Sequence, residues 1–187
     1  MGVLSTVSLP PRGLFLACAA LIGLSGCLAE TAQEQEPAVQ GDYEDGDEKH
    51  RPGQPCLLCH GPDHFPRAPG EEIFILAGTV YGFVDDAEDD GLDEVDVEIT
   101  DATMRTVVVQ TNSAGNFIVS EGDPKHKKGW LRISGTLEFP LQVSISKAGD
   151  EQVMRTTIAQ EGSCARCHGA TPDIDSVGRI YLFEGQR

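Results

Sequence analysis

The chain has 187 residues, with 30 acidic against 14 basic side chains and a formal net charge of −16. Such a balance disfavours nucleic acid and anionic lipid headgroups as partners, because both repel an acidic surface. With 40% hydrophobic residues the chain can build one core of ordinary size.

The opening "MGVLSTVSLPPRG" holds one arginine and no acid, and "LFLACAALIGLSG" is an apolar run of the length of a secretory h-region. It is shorter than the roughly 20 residues a membrane-spanning helix needs. Leu24-Ser25-Gly26-Cys27 resembles the lipobox of bacterial lipoproteins. In that family the cysteine is acylated and becomes the first mature residue. The resemblance implies that residues 1–26 are a signal peptide that is removed, and that Cys27 carries lipid. The protein is then exported and anchored by acyl chains rather than by a span. Leu28, where retention signals carry Asp, favours the outer membrane of a Gram-negative bacterium, on its periplasmic face or at the cell surface. Without residues 1–26 the balance is 13 basic against 30 acidic side chains, a net charge of −17. A cationic redox partner suits that charge.

Residues 27–55 are polar, acid-rich and almost free of aliphatic runs, so they are expected to form a disordered tether. A flexible coil of this length spans about 30 Å.

"CLLCH" at 56–60 and "CARCH" at 164–168 repeat one pattern. Cys18 leaves with the signal and Cys27 is taken by lipid, so Cys56, Cys59, Cys164 and Cys167 are all the mature cysteines, with no thiol left over. Three chemistries compete for them. Zinc requires both pairs to meet in one tetrahedral site, and its usual spacing of about 15–20 residues between pairs is far shorter than the gap here. Disulfides within each pair close very small loops. Neither explains why a histidine follows each pair directly. Covalent haem uses all three residues each time, with the thiols joining the porphyrin vinyls and the next imidazole ligating the iron. On that reading two haems c are attached through the four cysteines, with His60 and His168 as proximal iron ligands. The flanks "RPGQP", "GPDHFPRAPG" and "GATPD" are turn-rich. They predict a first haem-binding loop over 56–71 and a second over 161–187, the latter closed by a C-terminal strand.

Between the motifs, residues 72–160 read as short strands. In "VDVEITD", Val95, Val97 and Ile99 alternate with polar residues. "FPLQVSISK" alternates again, with Phe139, Leu141, Val143 and Ile145 inward. "EIFILAGTVYGFV" is a longer apolar run in which Gly78 and Gly82 mark bends or close approaches. The pattern predicts an all-β sandwich, Ig-like in class, of about seven strands with haem-binding loops at both ends. Gly78-Thr79-Val80, "VDVEITD" and the turn from Asn112 to Phe117 resemble the carboxypeptidase regulatory-like, or transthyretin-like, domain. With the two CxxCH motifs around it, the mature chain resembles a group of bacterial dihaem c-type cytochrome lipoproteins.

A six-coordinate haem needs a second axial ligand, usually His or Met. His50, His64, His126, Met104 and Met154 are available, and His126 and Met154 rank first. His126 sits in "DPKHKKGW" beside lysines and Trp130, while Met154 precedes Cys164 by ten positions. The acidic stretch 85–96, "DDAEDDGLDEVD", offers a weak Ca²⁺ site, but it places Val97 where an EF-hand needs its bidentate glutamate. The expected function is an electron-transfer relay, serving redox partner proteins rather than a catalysed reaction. The rivals are a surface-binding β module with accessory haems and a small peroxidase-like haem enzyme; no acid–base pair lies beside either motif.

Overall fold

The computed structural model describes residues 49–62, 72–169 and 176–185. The expected signal peptide, Cys27 and His64 lie outside the described residues.

The all-β expectation holds. Among the described residues there are nine short strands: β1 Phe74–Tyr81, β2 Asp96–Thr100, β3 Thr106–Gln110, β4 Asn116–Glu121, β5 Lys125–Lys127, β6 Trp130–Ile133, β7 Gln142–Lys147, β8 Asp150–Val153 and β9 Ile180–Tyr181. They form two sheets, one ordered β5-β6-β4-β1-β9 and the other β3-β2-β7-β8. The count exceeds seven because the lysine-rich stretch after Gly122 supplies β5 and β6. The three residues of β5 are Lys-His-Lys, all exposed, and carry no apolar alternation to read.

Alternation sets the second sheet. Val97 and Ile99 are fully buried while Asp96 and Glu98 are exposed. They pair with Val109 and Val107 on β3, and with Ile145 and Val143 on β7. Facing them across the sandwich are Leu76, Val80, Phe117, Val119 and Ile133 of the first sheet. Fully burying each such side chain stabilises the fold by about 1.5–3 kcal/mol. The β2–β3 turn is tied by Asp101, whose Oδ1 accepts from the Thr103 hydroxyl (2.6 Å), the Thr103 amide (2.8 Å) and the Arg105 amide (3.0 Å). These donors, the Thr103 hydroxyl foremost, hold the Asp101 carboxyl below the usual carboxylate range.

β1 departs from alternation. Its sequence FILAGTVY is buried at seven of eight positions, so both its faces are covered. The inner face meets the sandwich core. The outer face, with Phe74 and Ala77 on β1 and Ile118 on β4, is covered by Cys56, Leu57 and Trp130. Beside this patch the Trp130 indole N–H donates to Ser120 Oγ (2.9 Å), whose hydroxyl donates to Glu72 (3.0 Å). Glu72 also pairs with Arg132.

Candidate functional site

The two CxxCH segments fold alike. In the first, Cys59 N and His60 N donate to Cys56 O at 3.2 and 2.9 Å. In the second, Cys167 N and His168 N donate to Cys164 O at the same two distances. A single helical turn puts residues i, i+3 and i+4 on one side. Each turn therefore presents two sulfurs and one imidazole together.

The first turn, Leu57–His60, lies on the outer face of β1. The His60 ring stacks on Phe74 with centroids 4.2 Å apart and planes 12° from parallel. Phe74 is braced edge-on by Trp130 at 5.6 Å. The chain leading into this turn is anchored too. Gly53 N donates to Thr79 Oγ1 (2.7 Å), the Thr79 hydroxyl donates to Asn116 Oδ1 (2.7 Å), and Asn116 Nδ2 donates to His50 O (3.2 Å). Residues 49–55 thus belong to the domain rather than to the tether. Their polar composition misleads because backbone groups, not apolar side chains, make the attachment. The same segment brings His50 to His60, with ring centroids 6.0 Å apart and a 56° tilt.

The second turn, Cys164–Arg166, lies along an edge of the same strand. Ala77 N donates to Gly162 O (2.9 Å), and Ser163 forms a parallel bridge with Ala77. After the turn, β9 returns to pair in parallel with Val80 and Tyr81. Two glycines permit this approach. A Cβ on Gly78 would stand 2.8 Å from Cys164 Cβ and 2.9 Å from Phe117 Cζ, and one on Gly162 would overlap the Ile75 carbonyl. His168 Nδ1 lies 3.0 Å from Gly178 O, so that nitrogen carries the proton. Burial holds the His168 imidazole below its ordinary pKa, against the pull of the Gly178 carbonyl. A neutral ring with Nδ1–H bound to a carbonyl keeps its Nε2 lone pair for a metal.

The expected loops at both ends of the sandwich are therefore drawn to one strand. The path between the motifs winds through both sheets and brings the second turn back beside β1. Burial pushes the Cys56 thiol up to about 11 and the Cys164 thiol up to about 12, and Cys56 itself adds to the shift of Cys164. Both remain protonated at neutral pH. Cys56, Cys59 and Cys164 are free thiols, so neither CxxC pair is bridged. Among the described residues, no group of three or more His, Cys, Asp or Glu side chains is placed to share a metal ion, as a zinc site requires. A porphyrin supplies its own four nitrogens and asks each turn only for two sulfurs and one imidazole, which both turns present.

The other expected residues lie elsewhere. His126 is exposed on β5 and pairs with Leu131. It projects to the sheet face opposite its neighbour Lys127, which sits over Trp130 beside the first turn. Met154 follows β8 in the other sheet, its amide donating to Val143 O (3.0 Å) and its carbonyl accepting from Gln142 (2.7 Å). Met104 is 80% exposed in the β2–β3 turn. No periodicity marks His50, which the turn after it brings to His60. In the acidic stretch, Asp86 accepts from the Gly82 and Phe83 amides, whereas Asp93 and Glu94 pair with Lys128. Among the described residues, no three carboxylates of this stretch are grouped so as to share an ion.

The chain matches no known protein-family model, no curated protein and no solved structure.

Proposed function

We propose that the protein is a lipid-anchored dihaem c-type cytochrome that relays electrons in the periplasm or at the cell surface. One observation carries this reading: two CxxCH segments far apart in sequence take the same hydrogen-bonded turn against the same strand. A pair of thiols with a neighbouring imidazole, twice over, is the donor set of covalent haem.

On this reading Cys56 and Cys59 would hold one haem, with His60 as the residue that would ligate its iron. Cys164, Cys167 and His168 would do the same for the other. When bound, each haem supplies a one-electron ferric–ferrous couple. The chain supplies orientation and exclusion of water. Phe74 fixes the plane of the His60 ring, and the Gly178 carbonyl holds the Nδ1 proton of His168, making its far nitrogen a better donor. The apolar wall of Phe74, Ala77, Ile118 and Trp130 keeps water from the first turn. Because β1 carries both turns, groups held by them would keep a fixed relation to one another.

Intact mass spectrometry of the mature protein should find two haem additions together with acyl groups on Cys27. An electrochemical titration should then resolve two reversible one-electron steps. Mature protein that carries no haem ends the proposal.

A further inference from the structure

We infer that His50 is the second axial ligand of the haem held by the first turn, so that this haem is ligated by His50 and His60. The inference rests on the haem reading of the site and assigns a residue within it.

The rings of His50 and His60 have centroids 6.0 Å apart. A histidine nitrogen stands roughly 2 Å from a metal it ligates, with the ring centre about 1 Å behind, so two imidazoles sharing one metal have centres about 6 Å apart. The spacing of the two ring centres matches that separation. Both residues are also held where they are. His60 is stacked on Phe74, and the His50 carbonyl is bonded to Asn116, itself fixed by Thr79. Between them the chain reverses: Arg51 takes a positive φ of 50°, and the Gly53 amide is tied to Thr79. A ligand whose backbone is already fixed loses little freedom on binding, which favours it over groups that must be recruited. The His50 side chain is exposed at the surface. His126 lies exposed on β5 at the far edge of its sheet, and Met154 follows β8 in the other sheet. Ligation by two imidazoles gives this haem a lower potential than a His–Met pair.

The test uses purified holoprotein. Intact mass gives the haem count of the wild type and of His50→Ala, His50→Met, His126→Ala and Met154→Ala. Electron paramagnetic resonance and visible spectra then read spin state. Every variant should keep two covalent haems, because the thioethers do not involve residue 50. His50→Ala should convert one of the two haems from low to high spin. His50→Met should restore low spin and raise one of the two midpoint potentials. His126→Ala and Met154→Ala should leave the first-turn haem low-spin with its midpoint potential unchanged. Two unchanged low-spin signals in His50→Ala overturn the assignment. If that variant does not fold, unchanged midpoint potentials in His50→Met overturn it equally. A wild type with two haems, of which the first-turn haem is high-spin, also removes His50 while leaving the cytochrome reading intact. A wild type without haem, seen before any variant is made, overturns both.

Discussion

The two CxxCH turns are alike within their five residues and differ in how each is fastened. The first is held by side chains on the face of β1: His60 on Phe74, with Cys56 and Leu57 on Phe74, Ala77 and Ile118. The second is held by backbone at the strand's edge, through Ala77 N to Gly162 O and the parallel pairing of β9. Local sequence dictates the turn, because the same spacing closes the same hydrogen bonds. Its place in the fold is dictated by what it meets on β1, an apolar face for the first turn and a free strand edge for the second. One attachment should therefore fail when apolar surface is removed, and the other when the strand edge is crowded.

The largest effect is expected from Phe74→Ala. This side chain is 5% exposed and supports His60 on one side and Trp130 on the other. Its loss should destabilise the domain by about 3–5 kcal/mol, measured by denaturant unfolding. The first haem should also be lost preferentially, measured as peptide-resolved haem content. Equal loss from both turns would show that they are not fastened separately.

Gly78→Val attacks the other fastening. The new Cβ would press on Cys164 and Phe117, an overpacking that costs about 1–3 kcal/mol. Haem attached to the second turn should fall while the first is retained. Haem content unchanged at Cys164 and Cys167 would mean the edge yields more readily than the contacts imply.

The smallest effect lies away from both turns and serves as a reference. Asp101 has its folded pKa depressed by the Thr103 hydroxyl and neighbouring amides, so its stabilising contribution is complete above the ordinary carboxylate value of 3.8. The contribution is lost as pH falls through the lower folded value. Asp101→Asn should therefore lower the melting temperature at neutral pH, with the gap from wild type closing below about pH 4. Haem content at both turns should be unaffected throughout. A gap that persists in acid would mean that the side chain acts by shape rather than charge.

Much of the scaffold is legible in the sequence. Val95, Val97 and Ile99 announce a half-buried strand because a period of two leaves no other face for them. Asn112 to Phe117 reads correctly as a turn into β4. The CxxCH motifs are legible because their chemistry demands adjacent residues. Their meeting on β1 is not, since it depends on the pairing of Ala77 with Ser163, a contact between distant parts of the chain. The proximity of His50 to His60 is hidden likewise. Residues 49–55 have the composition of a linker, and the hydroxyl of Thr79 and the amide of Asn116, both distant in sequence, draw them in. Ranking distal ligands by linear distance could not see that Met154 belongs to the other sheet.

Among the described residues, the uncharged run FILAGTVY has one long side flanked by β4 and the other covered by Gly162, Ser163 and β9 with Leu182 after it. That thin cover begins and ends the segment that contains the second turn. A chain in which this segment is unseated bares a row of backbone donors and acceptors on a sticky, uncharged ribbon, the kind that templates self-association. Docking of the carboxyl-terminal segment thereby doubles as protection from aggregation, and variants that weaken it should self-associate more readily, as light scattering of the purified protein would show.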